Sequence, residues 1–381
     1  MDFELTDEQR DIRATVAAFA RKELNDDLLD RDRRGEFPRD AWDKCAKVGL
    51  QGLPVPAEYG GAGAGALTTM LALESLGYGC RDNGLIFSLN AHMWAGEMPV
   101  AHFGTEEQKR RYLPRLCDGS LIIGHAMSEP GAGSDTGGLA TTATRRGDGY
   151  VLRGAKTFVT NAPVAGLLVV FATTDPGRGW PALSAFLVER DTPGLSVGRP
   201  IQNMGLRTAP MAEVLLDECP VPGDAVLGPP GAGAAIFNRT MMQERSFILS
   251  SAVGTMRRDL ERCVEHARQR RQFGRPIGKF QAVADRIVGM RLRLDTAQLL
   301  LYRLGWLLDR EQPAALEAAL TKLHISECFV QSGLDAVQVH GGYGFTAEYE
   351  VERDLRDAVG SRLYSGTSEI HKNLVARAMG L

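Results

Sequence analysis

The hydrophobic pattern changes its period twice along the chain, from helical to extended near residue 121 and back to helical near residue 231. Before the first change, Ile12, Val16 and Phe19 recur at helical spacing. After it, apolar segments between Gly, Pro and Asp turns have the pattern of strands, at 150–159, 167–173, 183–189, 195–197 and 213–216. We therefore predict an α+β chain of three domains, 1–120, 121–230 and 231–381.

Capping signals and amphipathic segments mark the helices on both sides of the β module. Thr6-x-x-Gln9 and Thr105-x-x-Gln108 are capping boxes, which predict helix N-termini. Beyond Gly231, long amphipathic helices are expected near 233–271, 281–310, 314–340, 347–359 and 367–379. The Arg-rich stretch 268–271 has two interpretations, a solvated helix end or a contact with phosphate.

Composition excludes several classes of function. The formal charge of −3 argues against nucleic acid as a partner. No apolar run approaches a membrane span and the acidic start lacks the regions of a signal peptide, so we expect no membrane partner and a cytoplasmic location. The six cysteines have no CxxC pair and the seven histidines have no ligand spacing, which predicts reduced, mostly buried thiols and no metal.

Two short Gly- and hydroxyl-rich motifs lie beside predicted strands, Ser128-Glu129-Pro130-Gly131-Ala132-Gly133-Ser134-Asp135 and Lys156-Thr157-Phe158-Val159-Thr160-Asn161-Ala162. Small residues let backbone N–H groups approach a planar ring or a phosphate. Neither a GxSxG elbow, nor HExxH, nor a P-loop is present, so a serine nucleophile or a catalytic metal is not expected.

Together with three further motifs, these segments resemble the acyl-CoA dehydrogenase family. The further motifs are 270–274 (RRQFG) with Gln281, 338–345 (QVHGGYGF) and 364–370 (YSGTSEI). The order is collinear and covers essentially the whole chain. The resemblance implies an N-terminal helical domain, a middle β-barrel domain, a C-terminal four-helix bundle, bound FAD and a homotetramer or dimer. It also implies oxidation of an acyl thioester between its α and β carbons, with electron-transfer flavoprotein or oxygen as acceptor.

The same resemblance assigns cofactor residues in two groups. In the first, Met127, Ser128, Phe158 and Thr160 would flank the flavin, Gly133 and Ser134 would lie beside the pyrophosphate and the substrate's pantetheine, and Thr367 and Glu369 would lie near the flavin or its ribityl and adenine portions. In the second, the FAD of a neighbouring subunit would be contacted by Arg270, Phe273, Gln281, Gln338, Gly341 and Gly342.

The catalytic base is where this chain departs from the commonest pattern of the family. Many members place the basic Glu at the position of Ser365, and a minority place it on the first long C-terminal helix, at the position of Glu244. We predict Glu244 as the base, with its pKa raised by an apolar cavity. The other interpretation is a solvated carboxylate beside Arg245. Ser365 would donate its backbone N–H to the thioester oxygen, and Arg245 and Tyr364 are expected to contact substrate.

The sequence leaves the thioester open between CoA and a carrier protein. The chain looks closest to members that act on carrier-bound acyl or aminoacyl groups in natural-product pathways, such as prolyl-carrier-protein dehydrogenases.

Two surfaces have two interpretations each. Arginines 145, 146, 257, 258 and 262 form a patch for an acidic carrier protein or are simply solvated. Segment 87–98, with His92, Trp94 and Met98, lines the acyl cavity or is core. The alternatives to a dehydrogenase are a flavin oxidase or monooxygenase on the same scaffold and a non-catalytic offshoot.

Overall fold

The computed structural model describes residues 4–381, and its first part consists of helices. Both capping boxes are confirmed, because the side chains of Thr6 and Thr105 accept from the backbone of Gln9 and Gln108 and the glutamine side chains accept in return. A π-helical segment, Ala91–Glu97, joins the fifth helix to the sixth. The helices are α1 Asp7–Glu23, α2 Leu28–Arg34, α3 Arg39–Lys47, α4 Ala66–Gly79, α5 Asn83–Asn90, α6 Met98–Phe103 and α7 Glu106–Cys117.

The middle part is a mixed sheet of eight strands with its own apolar core. The strands are β1 Ile123–Ala126, β2 Thr142–Arg146, β3 Gly149–Thr160, β4 Leu167–Thr173, β5 Leu183–Glu189, β6 Leu195–Val197, β7 Met211–Val221 and β8 Val226–Leu227. They pair in the order β6-β7-β3-β2-β4-β5-β8, and β1 lies parallel to β4. All seven residues of β4 are buried, since both faces of this strand are covered.

Helices return after the sheet and continue to the end of the chain. They are α8 Gly233–Phe247, α9 Ser250–Gln269, α10 Gln281–Leu308, α11 Ala315–His340, α12 Val351–Gly360 and α13 Ser368–Ala378, with a short hairpin of β9 Arg271–Gln272 and β10 Arg275–Pro276 after α9. The predicted single helix at 233–271 is wrong. It consists of α8 and α9, and Phe247, Ile248 and Leu249 at the junction are all buried, so the apolar pattern continues where the helix is interrupted.

A buried polar network joins the three parts. Asn83 donates its side-chain amide to Asp354 and Asp357 at 2.9 and 3.0 Å, and the backbone N–H of Leu206 donates to Asp357 at 2.6 Å. Arg258 donates to the same Asp354 at 3.0 Å. Because these groups come from α5, the β module and the C-terminal helices, the network fixes how the three parts pack.

The network also involves part of the predicted arginine group, while Arg145 and Arg146 are exposed on β2. Arg258 is buried and ion-paired with Asp354, and Arg262 bonds to the same carboxylate. Arg257 lies over the ring of Tyr78. These three arginines are therefore engaged in structural contacts and do not form a free cationic surface.

Candidate flavin and substrate site

The predicted base lies on the inner face of α8. The Glu244 side chain is buried, with 8% of the residue exposed, between Met241 and Phe247 on the core side of the helix. Its carboxylate accepts a hydrogen bond of 2.6 Å from the hydroxyl of Ser365. The two residues that sequence reasoning proposed as catalytic are thus in direct contact, and Glu244 is not the solvated carboxylate of the alternative interpretation.

The loop that carries Ser365 is held by two cations from different helices. The Arg245 guanidinium on α8 donates to the carbonyl of Ser365 at 3.3 Å. The Lys322 ammonium on α11 is buried and donates to the carbonyl of Gly366 at 2.7 Å. Ser365 itself has a left-handed backbone, with φ +57°. Such a conformation persists in a non-glycine residue when the surrounding contacts fix it, and the two cations provide those contacts.

The electrostatics of this pocket favour a reactive carboxyl. Burial raises the pKa of Glu244, and the hydrogen bond from Ser365 and the charges of Arg245 and Lys322 offset part of the increase. Burial lowers the pKa of Lys322 to about 7. A carboxyl whose pKa is raised is a stronger base than a solvated one, which suits the abstraction of a proton from carbon.

Sequence reasoning missed Lys322 and His371. Burial lowers the pKa of His371 to about 3, so this ring beside the loop is neutral at ordinary pH. Lys322 follows Ala318 and Ala319 on the buried face of α11, and a lone lysine at such a position is the signal that could have identified it.

Two aromatic pairs each include a residue of α8 or of the loop that carries Ser365. The Trp94 and Phe247 rings stack with centroids 4.0 Å apart, and the Phe87 and Tyr364 rings lie 4.6 Å apart. The π-helical segment presents Trp94 to α8, and the indole N–H donates to Asn90 at 3.0 Å. Phe247 follows Glu244 by three residues on α8, and Tyr364 directly precedes Ser365.

The remaining residues of segment 87–98 have different roles. His92 is fully buried, lies edge-on to Trp42 with ring centroids 5.0 Å apart, and accepts from the Ile123 N–H at 3.2 Å. Met98 is also buried. His92 thus belongs to the core between α3 and β1, as the second interpretation of this segment had it.

A buried ion pair supports the first Gly-rich motif. The Lys156 ammonium donates to the Glu129 carboxylate at 2.8 Å and to the Met127 carbonyl at 3.1 Å. Glu129 also accepts from the backbone N–H groups of Ala140 and Thr141, at 2.7 and 3.0 Å. Glu129 thus anchors the motif through one cation and two backbone amides, and the sequence did not predict this role of Glu129.

The outer side of this motif is open to a ligand. A Cβ at Gly131 or Gly133 would meet nothing within 4 Å, and Ser134 is exposed. Phe158 has a left-handed backbone, with φ +55°, and 62% of the residue is exposed although its neighbours are buried. Met127 is buried and Ser128 and Thr160 are half-buried beside it. FAD has a planar ring and a tail that contains phosphate. An exposed aromatic side chain beside accessible backbone can contact both parts, so these residues fit FAD.

The second predicted group lies on an exposed face at the ends of the C-terminal helices. Arg270 lies over the ring of Tyr343 at 5.6 Å, and Phe273, 93% exposed, contacts Phe280 next to Gln281. Gln338, Gly341 and Gly342 are exposed at the end of α11. The structure thus brings the six residues to one surface, where an arginine and an aromatic ring face outward.

The last two predicted cofactor residues begin α13. Thr367 is the N-cap and its hydroxyl accepts from the Ile370 N–H at 3.3 Å. Glu369 is exposed in the first turn of the same helix. The N-terminus of α13 therefore follows directly on the loop that carries Ser365.

A cavity of about 740 Å³ lies elsewhere, between α9 and α10. Its lining includes the charged residues Arg257, Glu261, Arg268, Arg291 and Asp295. A cavity for an acyl chain would be mainly apolar, so this charged cavity does not suit one.

Family models match all three parts of the chain. The acyl-CoA dehydrogenase N-terminal domain matches residues 6–120, the middle domain 124–219 and the C-terminal domain 231–380. The chain belongs to the acyl-CoA dehydrogenase family. The predicted fold class is confirmed, with helical N- and C-terminal parts around a mixed sheet.

The most similar acyl-CoA dehydrogenase relatives share the whole length of the chain. An L-prolyl-[peptidyl-carrier protein] dehydrogenase of Pseudomonas fluorescens is 42% identical over 100% of both chains. The solved prolyl acyl carrier protein oxidase AnaB is 50% identical, covers 99% of this chain and 100% of its own, and has a TM-score of 0.98. The structure of PigA with FAD and proline is 41% identical, covers 100% of both chains and has a TM-score of 0.98.

The comparisons confirm the predicted reaction class. The protein is an FAD-dependent oxidoreductase of the acyl-CoA dehydrogenase type, which acts on the CH–CH bond of an acyl thioester. Within residues 4–381, no helix is long and apolar enough to cross a membrane, and no group of three or more His, Cys, Asp or Glu side chains is arranged to hold a metal ion. The six cysteines are unpaired and buried.

Proposed function

We propose that the protein oxidises the Cα–Cβ bond of a small aminoacyl group, a prolyl group above all, held as a thioester on a carrier protein, with Glu244 as the base. The observation that carries the proposal is the buried Glu244 carboxylate, which accepts a hydrogen bond from the hydroxyl of Ser365. The full-length similarity to prolyl-carrier-protein dehydrogenases supports the substrate class.

Glu244 would take the α proton of the thioester. Its raised pKa provides the basicity, and substrate binding would exclude water from the carboxylate. Bound FAD supplies the acceptor for the β hydride. Negative charge that develops on the thioester oxygen would be met by the backbone N–H of Ser365, whose position the bonds from Arg245 and Lys322 fix. Arg245 and Tyr364 would contact the substrate from the two sides of this loop.

FAD would be held by the two groups of residues described above. In one subunit these are Met127, Ser128, Gly133, Ser134, Phe158, Thr160, Thr367 and Glu369. A neighbouring subunit would contribute Arg270, Phe273, Gln281, Gln338, Gly341 and Gly342. Arg270 matches the charge of a pyrophosphate and can bind it with two parallel hydrogen bonds.

A homotetramer or a dimer would bring the second group to the flavin. Val288, Leu292 and Leu299 on α10 are exposed by 66, 65 and 53% and follow helical spacing, so they form one apolar face. Exposed apolar faces of this kind mark contacts between chains. Sedimentation at micromolar concentration is expected to give two or four copies.

Reduction by defined thioesters tests the substrate class. The flavin-loaded protein is mixed without oxygen with prolyl-carrier protein, prolyl-CoA and butyryl-CoA, and the flavin absorbance is followed. We expect rapid bleaching with the carrier-bound prolyl group and slow bleaching with both CoA esters. Equal rates with a CoA ester would contradict the carrier-protein assignment, and reduction by butyryl-CoA alone would make the protein a dehydrogenase of ordinary acyl-CoA esters.

Oxygen is the second candidate for the electron acceptor, beside an electron-transfer flavoprotein. The observation in its favour is the similarity to the prolyl acyl carrier protein oxidase AnaB. Reoxidation of the reduced protein by air, with one hydrogen peroxide formed for each substrate oxidised, would identify an oxidase. Slow reoxidation by air together with fast reoxidation by an electron-transfer flavoprotein would identify a dehydrogenase, and a hydroxylated product would identify a monooxygenase.

A further inference from the structure

The side chain of Ser365 makes a contact that the proposed reaction has not used. Its hydroxyl donates a hydrogen bond of 2.6 Å to one carboxylate oxygen of Glu244, across a sequence separation of 121 residues. Hydrogen bonds from a hydroxyl to a charged carboxylate are short and strong. The backbone N–H of the same residue remains available for the thioester oxygen, so the two roles use different atoms.

The position of this hydroxyl is fixed by the fold. Arg245 bonds to the carbonyl of Ser365 and Lys322 bonds to the carbonyl of Gly366. The left-handed backbone at Ser365 aims its side chain toward α8. Because the hydroxyl is already held in place, little conformational entropy is lost when it binds the carboxylate.

Several other charged or titratable groups surround Glu244. Arg245 comes from α8 itself and Lys322 from α11, and both favour the charged carboxylate. Tyr364 lies on the same loop as Ser365, and burial raises its pKa, with smaller contributions from the Asp357 and Glu244 carboxylates. His371 on α13 contacts the loop and is neutral. Ser365 differs from Arg245 and Lys322 in that its hydroxyl is neutral and donates directly to Glu244, so it can stabilise and orient the carboxylate without adding a charge.

We propose that the hydroxyl of Ser365 is a positioning group for the Glu244 carboxylate. It holds the carboxylate in its charged form and in one orientation, with the other oxygen directed to the substrate's α carbon. This inference rests on the function proposed above. It adds that residue 365 acts through its side chain as well as through its backbone.

Removal of the hydroxyl tests the proposal. Ser365→Ala keeps the backbone N–H, and Ser365→Gly does so too while suiting the left-handed backbone, so at least one variant is expected to fold. The pH profile of kcat/KM is measured for both. In this profile the rate falls at low pH as Glu244 becomes protonated, and this falling part is its acid limb. Loss of a hydrogen bond to a charged group should move the acid limb up by about one to two pH units. At pH values below the limb, kcat/KM should therefore fall by about ten- to a hundredfold. Well above the limb the loss is expected to be smaller.

An infrared titration provides a measurement that does not depend on turnover. The carbonyl band of the protonated Glu244 carboxyl is identified by its disappearance in Glu244→Gln. We expect this band to persist to higher pH in Ser365→Ala than in the wild type. Ser368→Ala is the matched control, because Ser368 donates a similar bond of 2.7 Å to a different carboxylate, that of Glu327. This control is expected to leave the acid limb and the band unchanged.

The outcomes separate this inference from the proposed function. If Ser365→Ala and Ser365→Gly keep the wild-type acid limb and band, Ser365 does not position the base, although Glu244 remains the base. If Glu244→Gln keeps its turnover, the proposed function itself is wrong. An equal shift in Ser368→Ala would show that the effect comes from the segment as a whole and would also overturn the inference.

Discussion

The buried ion pair between Lys156 and Glu129, which supports the first Gly-rich motif, should be essential to the stability of the fold and to the binding of FAD. Lys156→Met keeps the length and the apolar stem of the side chain and removes the charge. The variant leaves Glu129 with the backbone amides of Ala140 and Thr141 as its donors, in a place that water does not reach. The Met127 carbonyl loses its donor at the same time.

The size of the effect follows from the geometry. Two unit charges separated by the 2.8 Å between Nζ and Oε1 attract each other by about 6 kcal/mol at an effective dielectric constant of about 20. Burial opposes this attraction strongly, because it lowers the pKa of Lys156 to about 8 even with Glu129 beside it. Removal of one partner from a buried pair typically costs about 3–5 kcal/mol, and we expect Lys156→Met to fall in this range.

Urea unfolding followed by tryptophan fluorescence measures the loss, and flavin absorbance after dialysis measures retention of FAD. The double variant Lys156→Met with Glu129→Gln removes both charges, while the glutamine carbonyl still accepts from a backbone amide. It should recover about half of the lost free energy of unfolding. A cost below about 1 kcal/mol for Lys156→Met, or a double variant less stable than Lys156→Met alone, would refute the reasoning.

Three further predictions concern the base, the buried network and the assembly. Glu244→Gln should lower kcat by about 10² to 10⁴ and leave the yellow flavin spectrum intact, whereas turnover within a factor of two of wild type would contradict its role. Burial raises the pKa of Asp357 to about 7. Between about pH 4 and 7 the folded state therefore keeps a proton that the unfolded state releases. As a result, this group lowers the free energy of unfolding as the pH rises through this range. Chemical denaturation of Asp357→Asn should therefore show a weaker dependence on pH over this range, and an unchanged slope would exclude Asp357 as its source. Leu292→Glu places a charge on the exposed apolar face of α10 and should shift sedimentation toward the monomer and weaken FAD binding, and unchanged sedimentation would contradict the assignment of this face to a contact between chains.

Long apolar elements with clear borders could be predicted from the sequence, and short polar ones could not. The segments 167–173, 183–189 and 195–197 agree to the residue with β4, β5 and β6, because each is mainly apolar and lies between turn residues. Strand β2, Thr142–Arg146, was not predicted, since its polar residues show little alternation. Strand β1, Ile123–Ala126, was not predicted either.

The part of the candidate site that could be predicted is the base, because the reaction needs one residue of a particular type. A base is needed and position 365 holds a serine, which directs attention to Glu244. The supporting cations were not predictable, because Lys322 bonds to a carbonyl 44 residues away and Lys156 to a carboxylate 27 residues away. Neither interpretation of the arginine group describes Arg258, for the same reason, since its partner Asp354 is 96 residues distant in sequence. The location in the cell stays a prediction.

The hydrogen bonds that meet at Asp357 have a consequence for protein engineering. One carboxylate of α12 receives its donors from Asn83 in the N-terminal helices and from Leu206 in the β module. A fragment that lacks one of these segments would leave the buried acid with one donor fewer, so isolated modules are poor candidates for expression. Chimaeras that exchange the β module with that of a relative should keep the backbone conformation at Leu206, or the graft will disturb α12 and, through it, the loop at Ser365.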